Sequence, residues 1–157
     1  MDFSTIRAAI VSGIHSYLNI PIIRSNQIGK IPSYPYGSYT VLSIADKNGT
    51  YGIYDDEYHR EPMTHTWSFS FQSDDIDECI DTAINAKSWF DHVGTVYLSD
   101  NNIIVQSIGS VTNRDNLITL EYEHRAGFDV TFWGLVESSV PDNGIIEIVE
   151  YQYDINT

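Results

Sequence analysis

Residues 117–136 carry the clearest alternation of apolar and polar side chains in the chain. The apolar positions are Ile118, Leu120 and Tyr122 before Arg125-Ala126-Gly127, and Phe128, Val130 and Phe132 after it. Alternation with a period of two on both sides of a short segment with glycine predicts an antiparallel β-hairpin that turns at 125–127. Gly127 can adopt positive φ at such a turn without a Cβ clash. Beyond Phe132 both faces become apolar, with Trp133 and Leu135 on one and Val136 on the other, which is typical of a strand entering an interface.

Other segments are also predicted as strands. The clearest is 65–73, where Trp67, Phe69 and Phe71 alternate with polar residues. Shorter strands are predicted at 39–44, 102–111 and 145–149. Residues 45–62 are predicted as a long polar loop or a loose hairpin. Residues 94–100 are predicted to turn the chain back through a short apolar piece, and 113–116 to form a polar turn.

Two segments have helical periodicity. Residues 4–18 place apolar side chains on one side, with Ser4 as the candidate N-cap, and packing on the protein's own sheet is favoured over packing on a neighbouring subunit. Asp75 and Glu78 form a capping pattern for a second helix. Its predicted apolar stripe is Ile76, Cys79, Ile80, Ala83, Ile84 and Phe90.

The order of these elements predicts an α+β fold. Short links between strands favour a mainly antiparallel sheet with two helices packed on one face. We expect one domain over 1–157, with an acidic loop insertion at 45–62 and a loose tail at 151–157.

The charge of the chain restricts its partners. The formal net charge is −14 with only eight Lys and Arg residues, none of them after Arg125. Binding to DNA by phosphate neutralisation and binding to an anionic membrane both need basic residues, so both are disfavoured. No apolar run approaches a membrane-spanning length, and the N-terminal residues do not resemble a signal peptide.

The acidic loop offers the strongest metal hypothesis, and it is weak. Asp55, Asp56 and Glu57 with His59 could hold a hard cation, but a solvated acidic loop is favoured. The calcium-loop pattern fails because Tyr51 stands where glycine is needed.

No catalytic motif is found in the sequence. Cys79 falls in the apolar stripe of a helix, which favours a buried, inert thiol. His124 is expected at the surface, and the five histidines lie on different predicted elements. We therefore predict no catalytic residue, cofactor or metal, and no enzyme activity.

Three segments together resemble the phage neck terminator proteins, the tail terminators of tailed bacteriophages and related contractile-tail particles. They are YPYGSYTVLS (34–43), HTWSFSFQSDDIDECIDTAINAKSWF (65–90) and NIIVQSIGSVTNRDNLITLEYEHRAGFDVTFWG (102–134). The resemblance lies in the order of an F-x-F strand, a helix, an N-R-D turn and E-Y-E-x-R-x-G-F-D-V, and it covers about residues 1–150.

The resemblance implies a small α+β subunit that forms a hexameric ring at the tail–neck junction of the virion after assembly in the host cytoplasm. Such a ring caps the tail tube, stops polymerisation and meets the head-side connector or stopper, with the tail sheath as a further candidate partner. Genomic DNA passes through its lumen without specific binding. The candidate interaction residues are Asp55, Asp56, Glu57, Trp133, Leu135, Arg114 and Arg125. The alternative is an acidic adaptor or DNA mimic that binds a basic protein partner.

Overall fold

The computed structural model describes residues 2–47, 53–54, 58–115 and 123–139. Its elements are α1 (Phe3–Leu18), β1 (Ile22–Arg24), β2 (Tyr36–Lys47), β3 (Ile53–Tyr54), β4 (Tyr58–Ser73), α2 (Ile76–Ser88), a π-helical turn (Trp89–Val93), α3 (Thr95–Asp100), β5 (Ile103–Ile108), β6 (Thr112–Asn113) and β7 (His124–Ser139). The predicted α+β class is confirmed.

The strands form one mainly antiparallel sheet. Its order is β1-β2-β4-β7-β5, with β3 added to β4 and β6 added to β7. Only the pairing of the short β1 with β2 is parallel among the described strands. The central strands β4 and β7, each of 16 residues, pair along their whole length from Tyr58–Ser139 to Ser73–His124. This long pair fixes which side chains share a face.

The core lies on one face of the sheet. In register across β4 and β7, the core pairs are Trp67 with Val130, Phe69 with Phe128, and Phe71 with Ala126. The helices cover these side chains with Ile6, Ile10 and Ile14 of α1, Cys79, Ala83 and Ala86 of α2, Phe90 of the π-helical turn and Leu98 of α3. All of them are buried, so hydrophobic burial drives the docking of the helical layer.

The turn predicted at 125–127 is wrong. Strand β7 runs through Arg125, Ala126 and Gly127, which pair with Gln72, Phe71 and Ser70 of β4. The first strand of the predicted hairpin lies outside the described residues over 117–122, and the description resumes at Glu123. The glycine serves a close approach of strands instead of a turn, because a Cβ on Gly127 would lie 2.1 Å from the carbonyl oxygen of Phe69.

Three local predictions about helices also need correction. The N-cap of α1 is Asp2, whose carboxylate accepts the backbone N–H of Ser4 at 3.2 Å, so Ser4 lies inside the helix. Residues 95–100 form the short helix α3, which buries Leu98. On α2, the predicted apolar stripe is split, because Ile76, Ile80 and Ile84 are 45%, 40% and 50% exposed.

The described parts of the segment 45–62, namely residues 45–47, 53–54 and 58–62, all lie in strands. Strand β2 continues to Lys47, which pairs with Met63 of β4, and β3 pairs with the start of β4. Residues 55–57, the predicted strand at 145–149 and the tail at 151–157 lie outside the described residues. The described helices include none long and apolar enough to cross a membrane.

Candidate interaction surface

The sheet face opposite the core is lined with polar side chains. Strand β4 contributes Ser68, Ser70 and Gln72, in register with Asp129, Gly127 and Arg125 of β7 and with Thr40, Ser38 and Tyr36 of β2. The strict alternation of the strands produces this face, because every second residue points away from the core.

Arg114 ties this face together. It follows β6, and its Nη1 donates to the hydroxyls of Ser68 (2.6 Å) and Ser70 (3.1 Å) and to the carbonyl of Phe69 (3.2 Å). Its Nη2 lies 2.9 Å from the carboxylate of Asp129. Burial raises the pKa of Asp129, but the hydrogen bonds from Ser68 and Arg114 outweigh burial and hold this pKa below its usual range.

Arg125 forms a second ion pair, with Glu123. Its Nε donates to Glu123, whose other carboxylate oxygen accepts the hydroxyl of Tyr34 at 2.7 Å. Tyr34 stacks on Tyr36 with ring centroids 5.8 Å apart. Burial, and then the negative charge of Glu123, raise the pKa of Tyr36. These contacts hold the side chain of Arg125 at the edge of the polar face.

The sequence predicted a polar turn at 113–116, and the structure shows how its described part is held. The backbone N–H of Arg125 donates to the carboxylate of Asp115 at 2.6 Å, and that bond lowers the pKa of Asp115. His124 lies 3.3 Å from the same carboxylate and is half-buried. Asp115 therefore holds the start of β7 through Arg125 and His124, and the backbone N–H of Arg114 donates to the carbonyl of Arg125 at 2.7 Å, so the two arginines lie side by side.

Arg114 and Arg125 border a cavity of about 410 Å³, together with Arg24 and Lys30. Four of the eight Lys and Arg residues of this acidic chain thus surround one cavity. Arg114 pairs with Asp129 and Arg125 with Glu123, whereas Arg24 and Lys30 form no ion pair within the described part of the chain. The name cationic cavity is used below for the concavity bordered by these four side chains.

Trp133 and Leu135 lie at the other end of β7. Trp133 pairs with Thr64 and Leu135 with Pro62, and both side chains are half-buried. They share the strand parity of Asp129, but Trp133 is eight positions from Arg125, or about 26 Å along the strand. The structure therefore brings the two predicted arginines together and keeps them apart from the two predicted apolar residues. Asp55, Asp56 and Glu57 lie outside the described residues.

Sequence reasoning missed an exposed apolar surface on α2. Ile76, Ile80 and Ile84, called here the isoleucine ridge, follow each other at a spacing of four residues. The signal was present, because Cys79, Ala83 and Ala86 form a second apolar row on the same helix. One apolar row of a helix can pack on its own sheet, and a second row then stays exposed unless another molecule covers it. The buried row packs on the sheet, which leaves the isoleucine ridge facing outward.

The described residues offer little for catalysis. Cys79 is 1% exposed, its thiol lies within hydrogen-bond distance of the carbonyls of Phe71 and His124, and burial raises its pKa to about 11. The prediction that this thiol is buried is confirmed. In the ranges that the structure covers, no group of three or more His, Cys, Asp or Glu side chains is placed to hold a metal.

Comparison with known proteins places the fold in a biological context. None of the curated proteins matches the chain. A family model described as phage neck terminator protein matches residues 8–157, which is nearly the whole chain. The resemblance stated from the sequence is therefore confirmed. The chain belongs to the phage neck terminator protein family, whose members are structural proteins of the virion neck.

Proposed function

We propose that the chain forms a ring, hexameric in the particle, that caps the tail tube and ends its polymerisation. The isoleucine ridge supports this proposal most directly. Three aliphatic side chains, each 40–50% exposed, form a contiguous surface on one helix. Burial of this surface against a neighbouring subunit would be favourable, because apolar area is removed from water. A repeated contact between two different surfaces closes into a ring when the rotation between copies allows it.

Strand β2 provides a second, different surface. Among the described residues, β1 pairs with Gly37, Ser38 and Tyr39 of β2. The later part of β2 therefore has β4 as its partner on one side and no described strand on the other. Leu42 and Ile44 are more than half exposed there. The register shifts on both sides of Ser43 interrupt the regular ladder and so limit uncontrolled pairing through this edge.

The charge of the chain suits a passage for DNA. Each subunit carries a formal charge of −14. Phosphates are repelled by an acidic surface, so DNA can move past it without being held. In this proposal the ring, built from single domains spanning 1–157, contacts the tail tube protein on one side and the connector or stopper on the other, with the sheath as a further neighbour.

Particles assembled without this protein test the proposal. We expect overlong tube polymers, or tails that do not join heads, because nothing then ends stacking or offers the head-side surface. Labelled protein in complete particles should lie at the head-proximal end of the tail as a multimer. Tails of normal length joined to heads in its absence would contradict the proposal. A monomer bound to a basic protein outside the tail would instead support the acidic adaptor.

A further inference from the structure

We propose that the cationic cavity binds the acidic, aliphatic segment 145–150 of a second copy of this chain. This inference rests on the proposed ring, since it assigns one contact between its neighbouring subunits. The cavity is a concentration of positive charge on a chain of net charge −14, and two of its four basic side chains, Arg24 and Lys30, have no ion-pair partner among the described residues. A ligand with carboxylates at fixed spacing would supply those partners.

The rim of the cavity is aliphatic as well as cationic. Ile31 borders the cavity and is 65% exposed, and Ile28, in the same loop, is fully exposed. Exposed isoleucines beside unpaired cations fit a peptide that carries both aliphatic and acidic side chains. They fit a nucleic acid poorly, because a phosphate backbone offers nothing for isoleucine to contact.

The chain itself contains such a peptide. Residues 145–150 read Ile-Ile-Glu-Ile-Val-Glu, and no Lys or Arg occurs anywhere after Arg125. Glu147 and Glu150 provide the two carboxylates, and four aliphatic side chains surround them. The pattern therefore complements Arg24 and Lys30 in charge, and Ile28 and Ile31 in polarity.

Distance favours a neighbouring copy over the same chain. Strand β7 ends at Ser139, and Arg125 lies fourteen positions earlier on it, about 45 Å away. Across the sheet, Arg24 is in register with Tyr39, Tyr39 with Phe69, and Phe69 with Phe128 of β7. Arg24 therefore lies at the level of Phe128, which is about 35 Å from Ser139 along the strand. Glu147 is eight residues beyond Ser139 and reaches at most about 28 Å. Glu150, eleven residues beyond Ser139, reaches about 38 Å, and only with a fully extended chain. Both carboxylates therefore cannot lie in the cavity of their own chain, so binding of the whole segment joins two subunits.

Binding of a labelled peptide covering 143–154 to the full-length protein tests this contact by fluorescence anisotropy. The double variant Arg24→Glu/Lys30→Glu should bind the peptide about tenfold more weakly or worse, because each reversed charge turns attraction into repulsion. The matched control Arg7→Glu/Lys87→Glu changes the net charge by the same amount outside the cavity and should bind like the unaltered protein. Thermal unfolding of both variants checks that they are folded.

A charge swap gives the sharper result. A peptide with Glu147→Lys/Glu150→Lys should lose binding to the unaltered protein and regain it with Arg24→Glu/Lys30→Glu. Full-length proteins carrying the two sets of changes should cross-link to each other more than either does to itself. Failure of the unaltered protein to bind the peptide, equal loss in the control variant, or displacement of the peptide by duplex DNA at similar concentration would overturn the inference. Tail length and head joining are measured separately from peptide binding. If the cavity does not bind the peptide while loss of the protein still gives overlong or unjoined tails, this contact is excluded and the ring proposal stands.

Discussion

Gly127 shows how one residue decides the geometry of the central strands. Its missing Cβ lets the backbone of β7 approach β4, and it leaves room for the Nη1 of Arg114, which would lie 3.1 Å from an added Cβ. The guanidinium then bonds to Ser68, Ser70 and Asp129. Both the pairing of β7 with β4 and the hydrogen bonds of Arg114 therefore depend on this glycine.

The variant Gly127→Ala should be destabilised by about 3 kcal/mol, because its methyl group meets backbone that can move only with the strand. Gly134→Ala is the matched control on the same strand, since the nearest atom to its Cβ, the carbonyl oxygen of Asn102, is 3.7 Å away. That change should alter the free energy of unfolding by less than about 1 kcal/mol, with the loss of unfolded-chain entropy favouring alanine. Urea unfolding of both variants measures the difference, and similar values for the two would contradict the role given to Gly127.

His65 is a buried titratable residue on β4. It is 3% exposed, its Nδ1 accepts the backbone N–H of Ala45 at 3.3 Å, and its ring lies 6.4 Å from that of Phe3. Burial lowers the pKa of His65, and the negative charge of Asp46 opposes this only in part. The folded protein thus holds the neutral imidazole, which is the form that can accept from Ala45.

Acidification should therefore destabilise the fold through His65. Its pKa in the unfolded chain is about 6.5 and lies above the folded value, so the unfolded state binds the proton first as the pH falls. Stability is full above pH 6.5 and decreases as the pH falls toward the folded pKa. The free energy of unfolding, measured at several pH values from 7.5 to 5.0, should fall more steeply for the unaltered protein than for His65→Phe. His92→Asn, a change at an exposed residue, should keep the steeper slope.

At the scale of elements, α2 faces both the core and the outside with apolar side chains. Cys79, Ala83 and Ala86 are small and fully buried, which lets the helix lie close to the sheet. The larger isoleucines of the ridge are left outside. In the proposed ring, the small residues of α2 pack on its own sheet and its large aliphatic residues contact a neighbouring subunit.

The double variant Ile80→Ser/Ile84→Ser should weaken subunit association about tenfold or more, because apolar area is lost from the interface. It should lower the free energy of unfolding by about 2 kcal/mol, since roughly half of each side chain is buried within the subunit. Light scattering over a concentration series measures association, and urea unfolding measures stability. The control Val93→Ser/Val96→Ser removes two other exposed apolar side chains and should leave association unchanged. Equal weakening by both pairs would indicate non-specific association.

For the whole molecule, the distribution of charge matters more than its total. The cationic cavity uses half of the basic residues, and the described remainder is spread over α1, α2 and the β2–β4 hairpin. An acidic chain with one local basic site can be selective for an acidic peptide while it repels DNA as a whole.

We expect no measurable affinity for duplex DNA at physiological salt. The reason is the net charge of −14, which opposes the counterion release that drives such binding. A gel-shift titration to micromolar protein tests this. Retarded DNA whose amount falls with added salt would contradict it and would point to a role in handling the genome.

Replacement of Asp55, Asp56 and Glu57 by Ser tests the acidic loop as a docking face. The sequence predicts a solvated loop here, and substitutions in such loops change stability by only about 0.5 kcal/mol, so the fold should keep its stability. Joining of tails to heads should be slower, and the slowing should be larger at low salt, where charges act over about 30 Å at 0.01 M. Joining rates at two salt concentrations measure the effect. Normal joining would exclude the loop as a docking face and leave the ring unaffected.

The sequence by itself determined the alternating strands, the two main helices, the α+β class and the burial of Cys79. These features follow from local periodicity and from the strong preference of aromatic and aliphatic side chains for the core. The family was also recognisable, because the order of short motifs is a property of the sequence alone.

Only the tertiary structure decided what each local signal meant. A glycine between two alternating segments fits a turn or a strand in close contact, and Gly127 proved to be the second because its partner, β4, comes more than fifty residues earlier. Likewise, the sequence does not divide the apolar positions of α2 into buried and exposed rows, because that division depends on which side of the helix packs against the sheet. Arg24, Lys30, Arg114 and Arg125 are distant in sequence, and the strand order β1-β2-β4-β7 brings them to one cavity. Non-local pairing sets these relations, and local periodicity does not specify which strands pair with each other.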